Sequence, residues 1–371
     1  MNKWTYTTLG KISEIITGPF GSQLHQSDYV EQGIPVVMPQ DIDNRKVNYA
    51  SINYVSNEDA IRLERYKTII NDILYARRGD VEKHAFIKEK DNGVLCGTGC
   101  LRVRITTSEV EPEFISFFLN REETRKWLVT HAVGTNMPNL NTDILSDVPI
   151  AYPLLEEQRR IVQVLNSLDE KIALNSAVND NLSAMAYDIY MHTFFSKKPN
   201  AKLKDILTEA EKSAIQVGEA KTSNGEYPFF TSGATILKWN EPFVDGRNCF
   251  LNTGGNADVK FYVGKAAYST DTWSISAKSE MSDYLYLMLF SIKPELDQKF
   301  FQGTGLKHLQ KPLLKDRPIY VPEKLELEAF NRQVIPMFDI ISENTRENQQ
   351  LTSLRNWLLP MLMNGQATIS D

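Results

Sequence analysis

The chain has 371 residues, of which 42% are hydrophobic and 24% are charged, as is typical of a globular protein with more than one core. Lys and Arg total 41 against 47 Asp and Glu, and the net charge of −6 argues against a general nucleic-acid-binding domain, because such domains are usually basic. It does not exclude a protein that reads bases through local patches while a partner supplies most phosphate contacts.

The chain has no apolar stretch near the roughly 20 residues that a membrane span needs, and its first residues lack the apolar core of a signal peptide. We therefore expect a cytoplasmic protein without a membrane partner. Its three cysteines, Cys96, Cys100 and Cys249, are too few for a disulfide framework, and no cluster of His or Cys completes a zinc set. We expect these cysteines to be small core residues and expect no metal site.

Residues 1–152 have the pattern of a mixed α/β globule. Short β-type runs bounded by turn formers predict strands over 33–39, 69–76 and 99–105. Apolar residues at helical spacing, with Phe114 and Phe117 among them, predict one helix over 112–127.

Residues 153–196 predict a long helix with a heptad seam, because the apolar positions are separated alternately by four and three residues. The seam consists of Ile161, Leu165, Leu168, Ile172, Asn175, Asn179 and Leu182. A second α/β globule is predicted over 197–321, with strands at 227–230, 249–251, 259–263 and 273–275 and a helix at 282–293. Residues 322–371 then predict a second long helix. Its seam consists of Val334, Met337, Ile341, Asn344, Asn348, Leu351 and Leu358.

The second half of the chain repeats the first at a constant offset of 169 residues. Gly134-Thr135 returns as Gly303-Thr304, Asp147-Val148-Pro149-Ile150 as Asp316-Arg317-Pro318-Ile319, and Asn175 and Asn179 as Asn344 and Asn348. Two copies of one unit predict a pseudo-symmetric molecule, which suits a target with two parts. The globules agree poorly outside their last third, so we interpret the shared part as scaffold and the divergent part as ligand-reading.

The paired Asn residues indicate how the two helices pack. A buried Asn costs stability but fixes register, since a misaligned Asn would be left unpaired. We infer an α+β fold in which two pseudo-symmetric α/β domains are joined by two long helices, packed as an intramolecular antiparallel coiled coil. The alternative is that each seam packs only on its own globule.

The chain resembles the DNA-specificity subunit of type I restriction–modification systems. The resemblance covers essentially the whole chain. It rests on the repeat, the heptads and the junction Gly134-Thr135-Asn136-Met137-Pro138-Asn139-Leu140, Asp147-Val148-Pro149-Ile150, Pro153 and Glu157-Gln158. The second copy departs from this pattern at Glu326-Leu327, where Glu-Gln is expected.

The resemblance implies that each globule is a target-recognition domain for one half of a split double-stranded DNA target. It also implies that the helices set the spacer and dock two methyltransferase subunits, and that restriction subunits with motor and nuclease activity join the complex. S-adenosylmethionine would then belong to the methyltransferase, and ATP and Mg to the restriction subunits. A helix of about 40 residues is roughly 60 Å long, enough to span half-sites about 34 Å apart.

The sequence shows no catalytic motif. It lacks an Asn-Pro-Pro-aromatic motif for base methylation and a Gly-x-x-x-x-Gly-Lys-Ser/Thr loop for ATP hydrolysis. We therefore expect a DNA reader without activity of its own. Two rival hypotheses stay open: a two-lobed endonuclease, and an assembly protein whose globules bind other proteins.

Base readout requires polar side chains on loops that can enter a groove. In the first globule the candidates are Ser22, Gln23, His25, Arg77, Arg78, Thr135 and Asn136. In the second they are Ser232, Thr253, Asn256, Thr270, Thr272, Thr304, Lys307 and His308. The alternative for the loop at 18–25 is an ordinary surface loop, and for Arg77, Arg78 and Lys307 solvated side chains. We expect the neighbouring aromatic residues Phe20, Tyr227 and Phe229 to belong to the core.

Overall fold

The computed structural model describes residues 4–134, 138–303 and 305–369 of the chain. The chain divides into two compact units. Unit 1 consists of Met1–Asp169 and Ser353–Asp371, and unit 2 of Glu170–Thr352. Each unit therefore contains one globule together with a part of each long helix.

In the part of unit 1 that the structure describes, short strands and short α-helices precede the first long helix. The strands are β1 (Thr5–Thr8), β2 (Ser13–Thr17), β3 (Tyr29–Val30), β4 (Ile34–Val37), β5 (Ile42–Asp43), β6 (Lys46–Val47), β7 (Asn53–Val55), β8 (Ile73–Ala76), β9 (His84–Phe86), β10 (Leu95–Cys96), β11 (Cys100–Ile105) and β12 (Pro149–Tyr152). The helices are α1 (Leu9–Ile12), α2 (Asn57–Arg62), α3 (Pro112–Leu119), α4 (Glu122–His131) and α5 (Thr142–Ser146), followed by the long helix α6 (Leu155–Thr193).

The main sheet of unit 1 is antiparallel, with strand order β2-β11-β8-β9. A second sheet has the order β10-β4-β7-β3, and in it β10 runs parallel to β4. One apolar core joins the main sheet to α3, and a second lies between the two sheets. Strand β1 pairs with β12, so the start of the globule is tied to the strand that leads into α6.

The prediction of a single helix over 112–127 is wrong, because the chain forms two helices there, α3 and α4. The break lies at Arg121, whose backbone is extended (φ −63°, ψ 148°). Its Nε donates to the Phe118 carbonyl at 3.2 Å, and its guanidinium lies 3.6 Å from the centroid of the Phe118 ring. The arginine thus binds the carboxyl end of α3, and helical periodicity alone does not show this interruption.

Unit 2 has a similar but not identical order of elements. Its strands are β13 (Ala201–Lys202), β14 (Leu207–Glu209), β15 (Tyr227–Phe230), β16 (Leu237–Trp239), β17 (Arg247–Asn252), β18 (Val259–Val263), β19 (Ala267–Tyr268), β20 (Thr272–Ala277), β21 (Phe301–Gln302), β22 (His308–Leu309) and β23 (Pro318–Ile319). Its helices are α7 (Leu203–Ile206), α8 (Val217–Ala220), α9 (Ser282–Ser291), α10 (Lys293–Glu295) and α11 (Lys311–Lys315), followed by the long helix α12 (Lys324–Met363).

The two globules share one plan, although their sequences agree only near the junctions. The main sheet of unit 2 has the order β14-β20-β17-β18 and is also antiparallel. In the second sheet β15 runs parallel to β19, as β4 does to β10. Strand β13 pairs with β23, as β1 does with β12. The predicted pseudo-symmetric α+β fold is confirmed, and the symmetry extends well beyond the residues that repeat.

At the first junction, Gln158 connects α6 to its globule. This buried side chain accepts a hydrogen bond from the Glu111 N–H at 2.8 Å and donates to the Pro153 carbonyl at 2.8 Å. In the second copy Leu327 takes the corresponding position and is buried in the apolar core of unit 2. The departure from the junction pattern therefore replaces a polar connection by an apolar one.

Both long helices pack against globular residues in each unit. In unit 1, Ile161 and Leu165 of α6 and Leu362 of α12 are buried in the same core as the first globule. In unit 2, Ala186 of α6 and Val334 of α12 are buried in the core of the second globule. The alternative that each seam packs on its own globule therefore describes only the amino-terminal part of each helix.

The centres of the helices pair through their Asn residues. Asn175 Nδ2 donates to Asn348 Oδ1 at 3.0 Å, and Asn344 Nδ2 donates to Asn179 Oδ1 at 2.8 Å. The partners of Asn175 and Asn179 follow each other in reverse order along α12, so the helices are antiparallel. Each Asn pair is the image of the other under the 169-residue repeat. The predicted intramolecular antiparallel coiled coil is confirmed.

Cys96, Cys100 and Cys249 are free and buried, as expected of core residues. Among the described residues, no helix is both long and apolar enough to cross a membrane.

We predict that the Asn179–Asn344 pair is energetically coupled. Asn179→Ala and Asn344→Ala each leave one amide unpaired in the seam, so each should lower the free energy of unfolding by about 1–3 kcal/mol. The double variant should lose less free energy of unfolding than the sum of the two single losses, because no unpaired partner remains. Urea unfolding of the four chains measures this coupling. Asn181→Ala, at an exposed position of α6, is the control, and strictly additive effects would contradict the pairing.

Candidate DNA interfaces

Four loops of unit 1 meet beyond the end of the main sheet, and we call them loop cluster 1. They are residues 18–25, 77–80, 97–99 and 138–140. The Arg77 N–H donates to the Gly99 carbonyl at 2.7 Å, and the Leu140 N–H donates to the Arg77 carbonyl at 2.9 Å. The Thr98 hydroxyl donates to the Pro19 carbonyl at 2.9 Å. These hydrogen bonds thus bring together loops that are far apart in the sequence.

Most predicted residues of the first globule lie in this cluster. Ser22, Gln23, His25 and Arg78 are exposed there. Gln23 Oε1 accepts a hydrogen bond from the Tyr66 hydroxyl at 2.7 Å, which orients its amide. The remaining two candidates of this globule, Thr135 and Asn136, lie outside the described residues, as does Thr304 of the second.

Arg77 has the most distinctive environment of these candidates. Its side chain is half-buried, and its guanidinium lies 5.9 Å from the centroid of the Phe20 ring. Within the described parts of the chain, its Nε is buried without a hydrogen-bond partner, and so is the nearby Asn139 Oδ1. Unpaired buried polar atoms are costly, so their presence at a loop cluster makes Arg77 and Asn139 candidates for contact with a ligand.

The expectation that Phe20 belongs to the core is wrong, since the side chain is 58% exposed. Gly18 explains its position. A Cβ atom at Gly18 would lie 2.1 Å from the Gly97 carbonyl oxygen, so the chain crosses the loop at 97–99 in close contact. Phe20 follows beyond that crossing, outside the sheet. Phe229, in contrast, is buried in strand β15 as expected, and Tyr227 is half-buried.

Four loops of unit 2 form the equivalent loop cluster 2. They are residues 231–233, 252–256, 269–272 and, as far as they are described, 303–309. The Thr253 N–H donates to the Asp271 carbonyl at 3.0 Å, and the Leu309 N–H donates to the Thr253 carbonyl at 3.0 Å. Asn252 Nδ2 donates to the carbonyls of Ser232 and Asn256 at 2.8 and 3.1 Å, so this side chain holds two of the loops together.

The predicted residues of the second globule differ in accessibility. Asn256 and His308 are exposed, whereas Thr253 and Thr270 are half-buried. The Ser232 hydroxyl donates to the Asp271 carbonyl at 2.8 Å. Thr272 is buried, and its hydroxyl is 2.9 Å from the Ser269 hydroxyl. The polar groups of Ser232 and Thr272 therefore hold the loops in place.

Lys307 is paired within the chain. Its Nζ lies 3.0 Å from Asp297 Oδ2, and this contact, together with the Ala257 N–H, holds the pKa of the Asp297 carboxyl below its ordinary value. The pair is largely exposed, so its contribution to stability is small. Lys307 can therefore exchange Asp297 for a phosphate at low cost.

The two clusters share one backbone framework. Arg77 and Thr253 occupy the same place in it. The carbonyls of Arg77 and Thr253 accept from the N–H groups of Leu140 and Leu309, which are separated by the 169-residue offset. Their own N–H groups donate to the residues just before β11 and β20. The side chains at this place differ in length, charge and donor geometry. Equivalent positions with different donors are suited to reading different base sequences.

The described residues of the clusters contribute polar donors. In the described ranges, no three His, Cys, Asp or Glu side chains are arranged to hold a metal ion. What the clusters offer is hydrogen-bonding side chains on rigidly connected loops.

The profile of the family described as "Type I restriction modification DNA specificity domain" matches residues 1–184 and 197–353, one match to each repeat. The chain belongs to this family, and the resemblance drawn from the repeat, the junction and the heptads is confirmed. The family places the chain among the DNA-specificity components of restriction–modification systems.

Two named relatives extend over almost the entire chain. A putative type I restriction enzyme MjaX specificity subunit of Methanocaldococcus jannaschii is 22% identical, over 99% of this chain and 94% of the length of that relative. The type I restriction enzyme HindI specificity subunit of Haemophilus influenzae is 21% identical, over 99% of this chain and 100% of the length of that relative. A crystal structure of a type I restriction–modification S subunit from M. genitalium has the same fold, with a TM-score of 0.67, 14% identity and coverage of 100% and 97%.

We expect Arg77→Ala to relax base preference within one half of the bound sequence. Loss of a bidentate contact to a base costs about 1–3 kcal/mol at that position and leaves other positions unchanged. Binding of duplexes with every base pair at each position, at fixed salt, measures the effect. Arg159→Ala removes an exposed arginine of α6 and is the matched control. A uniform loss for all duplexes would instead assign Arg77 to a phosphate.

Proposed function

We propose that this chain is the DNA-specificity subunit of a type I restriction–modification complex, in which loop cluster 1 reads one half of a split double-stranded target and loop cluster 2 reads the other. The observation that carries this proposal is the shared backbone framework with different side chains at Arg77 and Thr253. Duplicated readers on one scaffold suit a target with two dissimilar halves.

We divide the chain by function into recognition domains at 1–152 and 197–321 and spacer helices at 153–196 and 322–371. Recognition is assigned to the loops because each cluster collects polar side chains on a fixed backbone. The strands and helices beneath the clusters have buried apolar residues and serve as scaffold.

The chemistry is assigned to partner subunits. Methyltransferase subunits would supply S-adenosylmethionine-dependent methylation, and restriction subunits would supply the reactions that need ATP and Mg. An acidic chain with few cations in its loop clusters is consistent with this division, because partners can provide the phosphate contacts that dominate affinity. The complex would act on DNA in the cytoplasm.

The helices have an outward surface that is available to partners. The seam Asn residues are occupied with each other, so they hold the helices together rather than contact another subunit. Met185 and Leu354 are equivalent under the repeat and remain 52% and 43% exposed. We assign these two side chains to methyltransferase docking, since two equivalent apolar positions suit two copies of one partner.

The proposal is tested by expressing the chain with its methyltransferase partner and mapping methylated bases across a genome. We expect methylation at one split sequence. Exchanging residues 1–152 for the recognition domain of another specificity subunit should change one half-site and leave the other and the spacer unchanged.

Three outcomes would contradict the proposal. Methylation without a split motif would remove the two-reader function and favour a pure assembly protein. Cleavage of DNA by the purified chain with Mg²⁺ and no partner would favour the rival endonuclease hypothesis. A change in both half-sites after the exchange would show that the two loop clusters do not read independently.

A further inference from the structure

Each globule contacts its following long helix through an arginine that joins two carboxylates. One carboxylate lies on the short helix that packs on the main sheet, and the other lies on the long helix. We call these arrangements arginine clamps, Arg45 in unit 1 and Arg247 in unit 2. Each clamp lies entirely within its own unit.

In unit 1 the clamp is largely buried. Arg45 Nη2 lies 3.4 Å from Glu113 of α3, and its Nη1 lies 3.6 Å from Asp169 of α6. Its Nε donates to the Ser116 hydroxyl at 2.9 Å, and the guanidinium lies 3.4 Å from the centroid of the Phe117 ring. The backbone of Arg45 has a φ of 62°, a left-handed conformation that side chains rarely adopt.

In unit 2 the clamp has shorter contacts. Arg247 Nε and Nη2 donate to Asp283 of α9 at 2.6 and 2.8 Å in a bidentate pair. Its Nη1 lies 2.6 Å from Asp339 of α12, and its Nη2 also donates to the Ile335 carbonyl at 3.1 Å. Asp283 is fully buried, whereas Asp339 is partly exposed.

The clamps join equivalent helices, but their arginines are not equivalent in sequence and only Arg247 forms a bidentate pair. Glu113 and Asp283 lie on corresponding short helices, and Asp169 and Asp339 on corresponding parts of the long helices. The arginines come from different places: Arg45 lies in the turn between β5 and β6, whereas Arg247 begins β17. Because the repeat does not relate the two arginines, the same connection is made twice by different residues, which indicates a common geometric requirement.

Stability alone does not account for these pairs. Removing charges from water offsets most of the attraction between them, so apolar side chains of similar volume would stabilise the contact equally well. Burial lowers the pKa of Arg45 to about 10, although Glu113 and Asp169 oppose this change. What a guanidinium adds is direction, since its planar fork fixes the orientation of both carboxylates.

We propose that Arg45 and Arg247 are positioning residues that fix the angle between each recognition domain and its long helix, and thereby restrict the complex to one spacer length between the DNA half-sites. This inference rests on the function proposed above. Apolar packing between a globule and a helix allows small rotations, whereas a fork bound to two carboxylates does not. Loss of the fork should therefore loosen the angle without altering the loops that read bases.

The experiment uses the full chain assembled with its methyltransferase and a series of duplexes that share both half-sites but differ in spacer by single base pairs. The wild type should methylate one spacer length. Arg247→Met fills the space without the fork, and we expect its preference over the neighbouring spacers to fall about tenfold. Preferences for the half-site bases should not change.

Two further variants keep the test decisive if Arg247→Met fails to assemble. Asp339→Asn alters a partly exposed carboxylate and should broaden the accepted spacers in the same direction. Arg247→Lys keeps the charge but lacks the fork, so it should resemble Arg247→Met. Lys324→Met, which removes a cation from a pair within α12, is the matched control and should keep the spacer preference of the wild type.

A lower melting temperature with unchanged spacer preference in the variants would overturn the proposal, because it would show a purely stabilising role. Failure of the wild-type complex to methylate any split sequence would instead reject the proposed function. The two failures are distinguished by the wild-type control in the same series.

Discussion

The two reciprocal Asn pairs between the long helices are the interactions on which the rest of the structure depends. Asn175 binds Asn348 and Asn344 binds Asn179, and each amide would lose its partner in any other register. The observed pairs are images of each other under the repeat, and together they hold all four residues in one antiparallel register. An apolar seam would tolerate sliding, so the polar centre determines where each helix end meets its globule.

The loop clusters show how one scaffold can present two different readers. Backbone hydrogen bonds connect the loops in both clusters, so side chains that take no part in these connections can change without loss of the framework. Arg77 and Thr253 occupy equivalent places yet offer different donors. This separation between backbone connection and side-chain identity accounts for the low similarity of two globules that share a fold, and it lets one half-site change independently of the other.

Several cations of this acidic chain are used within the protein. Arg45, Arg247 and Arg121 contact carboxylates, carbonyls or aromatic rings of their own units. Few positive side chains remain in the loop clusters, and one of them, Lys307, is paired with Asp297. The chain is thus suited to selecting a sequence, whereas most of the affinity for DNA would come from partner subunits in the assembled complex.

The sequence by itself determined the repeat and the heptad seams, and these patterns predicted the coiled coil and the family. Which Asn pairs with which was decided by the structure. Seven strands in the sheets of the two globules were also predicted, from β-type runs and bounding turns, whereas the remaining strands were not. Tertiary structure decided the break at Arg121, the exposure of Phe20, the common sheet order of the divergent globules and the arginine clamps. Each of these depends on contacts between residues far apart in the chain. Local periodicity carries no information about which distant carbonyl, ring or carboxylate a side chain will meet.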